Sequence, residues 1–210
     1  QKLQSQAPPM GWPFVRRRMA AELGEGWEKR FRSFEKTAAA AASLGQVHRA
    51  VIGRGGADPT PLNVACKLQY PDMTSAVAAD LKQLKMFLGV FESYDRSVAT
   101  TEIQKEIAAR LKEELDYALE ARHTRLYGFL LKDEKGVHVP DVVPELSTER
   151  LLTTTWLEGE GILNFTKAKP ELRNRIALNL FRAWYVPLYG SGVIHGDPHP
   201  GNYTVRKDGT

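Results

Sequence analysis

The stretch that decides the reading is His195-Gly196-Asp197-Pro198-His199-Pro200-Gly201-Asn202. Two prolines and two glycines within these eight residues forbid a helix, and they hold a carboxylate and an amide five positions apart in a rigid loop. A loop of that kind sets geometry. Its bland alternative is that Asp197 caps a turn. A zinc site built on His195 and His199 is disfavoured, because the loop is not helical and supplies no clear third ligand.

The same spacing satisfies the catalytic loop of kinases. There an aspartate takes the proton of the attacking hydroxyl or orients the nucleophile, and an asparagine five residues on ligates the metal on the phosphates. Moving outward, Val64-Ala65-Cys66-Lys67 is a lysine closing an apolar strand after a hairpin, which matches the V-A-I-K pattern of a phosphate-contacting lysine. Taken alone it is ambiguous, since strand-ending lysines are commonly solvated. The order of alanine-rich loop, strand, lysine strand, acidic helix, hinge and catalytic loop is what strengthens it.

Secondary structure follows from periodicity and turn residues. Pro13 suits the first turn of a helix that runs to about Leu23 and stops at Gly24. The run TAAAAASLGQVHRAVI (37–52) sets an alanine tract, ordinarily helical, directly against the strand-like VHRAVI. GRGGADPTP (53–61) separates strand candidates at 47–52 and 62–68 as a hairpin would. Val77, Leu81, Leu84 and Leu88 predict a helix over 73–94, and Ile103, Ile107, Leu111, Leu115, Leu119, Arg122 and Leu126 predict a second as one continuous stripe. VHVPDVV and LLTTTWL read as strands, Pro170 to Tyr189 reads as a long helix ending at or before Gly190, and the tail reads as strand, loop, strand and turn.

On the second helix, Glu114, Asp116 and Glu120 raise a separate question. At about 100° per residue, Asp116 and Glu120 share one face and Glu114 lies elsewhere, beside Ile107, Leu111 and Ala118 at the edge of the apolar stripe. An inward carboxylate wants a cation. The alternative is a solvated acidic face paired with Arg110 and Lys112.

Composition bounds the rest. The chain has 210 residues, 42% hydrophobic and 26% charged, which allows one domain or one and a half and excludes collagenous, disordered and disulfide-stapled classes. The net charge of +4 arises from interspersed basic and acidic residues, so nucleic-acid binding is not implied. A loose attraction to anionic membrane surfaces stays open. No apolar run approaches the roughly 18 residues of a membrane helix. The single cysteine, Cys66, lies in an apolar strand and reads as a small buried hydrophobe; it can form no disulfide within the chain.

AAASLGQVHRA, VACKLQYP, EELDYALEA and VIHGDPHPGN, in that order, resemble the UbiB/AarF family of atypical protein-kinase-like proteins. The resemblance implies an α+β, protein-kinase-like fold: an N-lobe antiparallel sheet with inserted helices over 1–155, then over 156–210 a hinge and the beginning of a mainly helical C-lobe through the catalytic loop. It implies that Ala40, Ala41, Ala42, Ser43, Gly45 and Gln46 replace the glycine-rich loop over the phosphates. Lys67 would be the phosphate lysine and Glu120 its helix partner. Glu114 and Asp116 would form the family's E-x-D pair, Asp197 would be the catalytic-loop acid and Asn202 a metal ligand. ATP or ADP and Mg²⁺ are the implied cofactors. The implied role is ATP hydrolysis in support of ubiquinone or other isoprenoid-quinone biosynthesis. Quinone-precursor lipids and other quinone-biosynthesis proteins are the implied partners, and the setting is the cytoplasm with peripheral association at the inner face of a membrane.

Two family elements are expected outside this sequence: an upstream K-x-G-Q whose lysine meets the E-x-D acids, and a metal-binding D-F-G just past Gly209-Thr210. Rival readings are a nucleotide-gated lipid-binding scaffold without phosphoryl transfer and a small-molecule kinase of the aminoglycoside or choline kinase type. AAASLGQVH together with E-L-D argues against the latter. Lys67, Asp197 and Asn202 together favour catalysis, since a pure scaffold needs no such set.

Overall fold

A computed structural model of the chain describes residues 10–42, 44–53, 60–94 and 100–210, with side chains for all of these except 91–94. The expected turn residues 54–59 and Ser43 lie outside the described residues. The chain divides into two compact units, Gln1–Ala121 with Val143–Thr153, and Arg122–Val142 with Thr154–Thr210.

The first unit is built on an antiparallel sheet. Strands β1 (Ser33–Phe34), β2 (Ala40–Ala42), β3 (Gly45–Gly53), β4 (Pro61–Gln69) and β5 (Leu151–Thr155) take the order β1-β3-β4-β5, with β2 also on β3. β3 and β4 pair along their whole length, from Gly45 opposite Gln69 to Gly53 opposite Pro61, so the hairpin expected from the turn-rich segment forms. The alanine tract resolves as strand rather than helix. Ala40, Ala41 and Ala42 stand opposite Val47, Gln46 and Gly45, because cross-strand pairing outweighs alanine's helix propensity here.

Side chains alternate across the sheet. One face of β3 and β4, carrying Ala50, Ile52, Val64, Cys66 and Leu68, closes on Val15, Met19 and Leu23 of helix α1 (Trp12–Leu23), on Trp27 and Phe31, and on Val143, Leu146 and Leu151. Pro13 sits in the first turn of α1, and Gly24 ends it at φ +87°, a conformation other side chains resist. Each fully buried aliphatic side chain contributes roughly 1.5–3 kcal/mol. Cys66 is part of this core, and burial raises its thiol to about 12, so it is an inert hydrophobe.

Helix α2 (Met73–Tyr94) buries Val77 and half-buries Leu81, Leu84 and Leu88, as their spacing predicts. It packs against α3 (Thr100–Glu114). The single second helix expected from the apolar stripe is in fact two. α3 stops at Glu114, and α4 (Tyr117–Leu130) starts afresh after Asp116, whose Oδ1 accepts the Leu119 amide at 2.8 Å. Aspartate is among the best N-caps, and here it nucleates a new helix inside what reads as a continuous period. Ile103 and Leu126, two members of the expected stripe, are exposed.

In the second unit, α5 (Pro170–Ser191) is the longest element. It runs through Gly190 and ends at Gly192 (φ +68°), two residues beyond the expected stop, where the glycine amide bonds the Leu188 and Pro187 carbonyls. Asn179 donates to the Gly209 carbonyl at 2.9 Å and Arg175 to the Asp208 carbonyl at 2.8 Å, tying the tail to α5. β6 (Glu160–Gly161) and β7 (Thr204–Val205) form a short antiparallel pair flanking the HGDPHPGN loop in sequence. VHVPDVV, expected as a strand, is not one. Only Val142 bridges, to Thr154 of β5, because Pro140 removes an amide that a ladder would use.

Candidate active site

Lys67 and Glu120 are brought together. The lysine Nζ lies 2.7 Å from each oxygen of the Glu120 carboxylate, with the two side chains 26% and 39% exposed. Two local devices produce this. Lys67 stands opposite Val47, and Val47 opposite Ala40, so the lysine, Val47 and Ala40 share one sheet face, opposite the α1 core. The Asp116 cap starts α4 so that Glu120 falls in its first turn, its amide bonded to the Asp116 carbonyl at 3.1 Å. Gln69, on the same face as Lys67, donates to the Leu115 carbonyl at 3.1 Å and fixes the break between α3 and α4 against the strand.

The side chain of Tyr117 lies under this pair. Its ring is 1% exposed, and the Lys67 ammonium sits 4.8 Å from the ring centroid. Burial first, then the Glu120 and Glu114 carboxylates, push the phenol well above its usual range, so the ring is neutral. Tyr117 is not one of the residues the sequence singles out; its signal there is a tyrosine directly after an aspartate, three positions before Glu120.

The remaining candidates divide. Ala40, Ala42 and Gly45 lie along Lys67's face of the sheet, whereas Ala41 and Gln46 alternate to the other. Gln46 is 1% exposed and committed elsewhere: its Oε1 accepts the Met10 amide at 2.6 Å, and its Nε2 approaches the Met10 carbonyl at 3.3 Å and His48 Nε2 at 2.8 Å. Its side chain is a buried latch on the segment before α1 rather than a group facing the lysine. His48 completes the latch. A carbonyl can only accept, so His48 Nδ1 carries the proton to Glu35 O at 2.8 Å and Nε2 accepts from Gln46. Glu114 is exposed, not inward as its place beside the apolar stripe suggests, because α3 ends at that residue. The E-x-D pair is therefore split: one acid faces solvent and the other caps a helix.

Within the second unit, Asp197 and Asn202 meet. Asn202 Nδ2 donates to Asp197 Oδ2 at 2.7 Å and to the Asp197 carbonyl at 3.2 Å. The loop is exposed yet held. His195 lies among the rings of Tyr127, Trp184 and Tyr203, with centroids 5.6, 6.4 and 6.0 Å away, and Trp184 Nε1 donates to the Tyr203 hydroxyl at 2.9 Å. His195 Nδ1 accepts the Asp197 amide at 3.3 Å and His199 Nδ1 accepts the Gly201 amide at 3.1 Å. Both histidines thus turn a ring nitrogen to the backbone of their own loop. Among the described residues no group of three or more His, Cys, Asp and Glu side chains could hold a metal ion. The Asn202 carbonyl oxygen is instead a hard donor of the kind that suits Mg²⁺ when phosphates fill its other positions.

A lysine on a sheet strand fixed by a helix carboxylate, together with a loop that pairs an aspartate with an asparagine five residues on, defines a kinase-like domain. The ABC1 atypical kinase-like domain matches residues 2–210, and the chain belongs to that family. Over 202 residues it is 32% identical to the atypical kinase COQ8, mitochondrial, of Saccharomyces cerevisiae, covering 96% of this chain and 39% of that protein. It is 32% identical over 212 residues to the chloroplastic protein ACTIVITY OF BC1 COMPLEX KINASE 7 of Arabidopsis thaliana, covering 99% and 30%. A solved Mycobacterium tuberculosis protein, Rv3197 in complex with erythromycin, superposes with a TM-score of 0.83 at 33% identity, over 96% of this chain and 50% of that one. The chain thus spans 30% to 39% of the length of these two curated relatives. Among the described residues no helix is long and apolar enough to cross a membrane.

Proposed function

We propose that this chain binds ATP or ADP with Mg²⁺ and hydrolyses ATP in support of quinone biosynthesis, acting on or beside isoprenoid lipid precursors as a peripheral partner of a membrane. The observation that carries the reading is the doubly bonded Lys67–Glu120 pair at 2.7 Å, a half-buried cation set in place by a carboxylate. Placed this way, Lys67 donates to phosphate oxygens with little of its side-chain freedom left to lose. The short side chains of Ala40 and Ala42 keep the backbone of their strand accessible to a nucleotide. Asp197 accepts the proton of the attacking water as the new P–O bond forms and ADP departs. Asn202 holds Asp197 through its amide, and its carbonyl oxygen would be the protein ligand to magnesium. Bound magnesium supplies neutralisation of charge on the transferred phosphoryl group. The setting in quinone biosynthesis rests on the COQ8 relative, and the relative bound to erythromycin supports a second reading, a nucleotide-gated lipid-binding scaffold without phosphoryl transfer.

The test is nucleotide binding by calorimetry together with phosphate release. Lys67→Met is expected to weaken nucleotide binding at least tenfold, and Asp197→Asn to leave binding intact while lowering turnover on the order of 10²- to 10³-fold. Nucleotide binding with turnover indifferent to Asp197 selects the scaffold reading. No nucleotide binding by the wild type ends both.

A further inference from the structure

Lys67 is held from two sides, and only one of them is a charge. Glu120 takes the ammonium at 2.7 Å, while the face of the Tyr117 ring lies 4.8 Å from Nζ. The ring is fixed by its surroundings. Tyr117 opens α4 directly after the Asp116 cap, its amide bonds the Glu149 carbonyl at 3.2 Å, and its side chain is buried. Its hydroxyl has no hydrogen-bond partner and lies where position 45 carries no side chain: a Cβ built on Gly45 would come within 2.9 Å of that oxygen and would strike the Leu68 carbonyl. An unpartnered buried hydroxyl costs stability, so the hydroxyl does not account for the aromatic residue at this position. The ring face accounts for it, since a cation over a neutral ring is attracted to the negative face of its quadrupole and is held to one side of the Glu120 carboxylate.

We infer that Tyr117 is a positioning residue for Lys67: its ring face, kept in place by the gap at Gly45, fixes the direction in which the ammonium is presented to a phosphate. For its affinity readout this rests on the nucleotide reading above. A lysine bound to a carboxylate alone can swing about that contact, and a ring beneath it removes part of that swing. The hydroxyl is incidental to the role.

The experiment replaces Tyr117 in the 210-residue chain with phenylalanine and then with mono-, di- and trifluorophenylalanine, which keep the shape and drain the negative potential of the face. Two quantities are read: the rate at which an amine-reactive ester labels Lys67, mapped by mass spectrometry, and the dissociation constant for ATP. Tyr117→Phe is expected to keep both, with a melting temperature equal to or above that of the wild type. Across the fluorinated series, labelling and the ATP dissociation constant are each expected to rise stepwise, by about two- to fivefold in all. A purely structural ring gives a flat series, because packing does not respond to the quadrupole. Flat labelling overturns the inference whatever ATP does, and so does labelling that rises while a measurable ATP affinity stays constant. If no form binds ATP, the nucleotide reading fails, and the labelling trend still decides whether the ring holds the lysine.

Discussion

The two regions that carry the candidate chemistry are held in opposite ways. Lys67 stands on a strand whose next residue, Leu68, is fully buried, and it is gripped by Glu120 and backed by Tyr117, with tertiary packing behind every contact. The loop from Gly196 to His199 is exposed, and its order comes from its own chain: two prolines, ring nitrogens bonded to backbone amides two residues on, and the Asn202–Asp197 bond. A long flexible cation needs neighbours to lose its freedom before a ligand arrives, whereas a short carboxylate in a proline-stiffened loop starts with little freedom to lose. The lysine region should therefore be sensitive to packing and the loop should not.

The largest effect expected from this contrast is on stability. Leu68→Ala should cost about 3 kcal/mol in chemical denaturation, while Asp197→Asn and Asn202→Ala should each stay within about 0.5 kcal/mol. A loop substitution as costly as the core one would erase the contrast. Next comes Asp116→Ala, which removes the α4 cap; about 1 kcal/mol should be lost, with a weakened ATP affinity because Glu120 sits one turn on. Loss of stability with ATP affinity unchanged would show that Lys67 and Glu120 do not depend on the cap.

The smallest effect concerns pH. Burial lowers the His48 pKa from 6.5, opposed by its bond to the Glu35 carbonyl and by the Glu35 charge. As pH falls through 6.5 the unfolded chain takes up the proton first. The stability tied to neutral His48 is therefore full above that value and is lost on the way down to the depressed folded pKa. The loss tied to His48 should be below about 0.7 kcal/mol between pH 7 and 6, and His48→Gln should lose correspondingly less than the wild type when their melts are compared across that range, what remains including the smaller contribution of His138, whose pKa burial also lowers.

Much of this was legible in the sequence. Turn residues and alternation give the β3–β4 hairpin, spacing gives α2 and α5, and the Lys67–Glu120 pair is what the family resemblance implies. What was not legible has identifiable causes. The α3–α4 break hides inside an unbroken apolar period, because Asp116 acts through one local bond that periodicity does not register, and the exposure of Glu114 follows from that break. Gln46 reads as a loop residue in the sequence, and only the cross-strand register places it on the core face. Tyr117 carries no distinctive signal of its role in the sequence, because a single aromatic residue in a helical stripe reads as packing.

The Gln46 latch has a consequence for which residues can stand at position 10. It addresses the backbone of Met10 on both sides, amide and carbonyl, and ignores the side chain, which merely leans on the core. Variation at that position should therefore be broad among apolar residues and closed to one. Proline, having no amide hydrogen to give, would leave the buried Gln46 oxygen without its donor and cast off the chain at the point where it is moored.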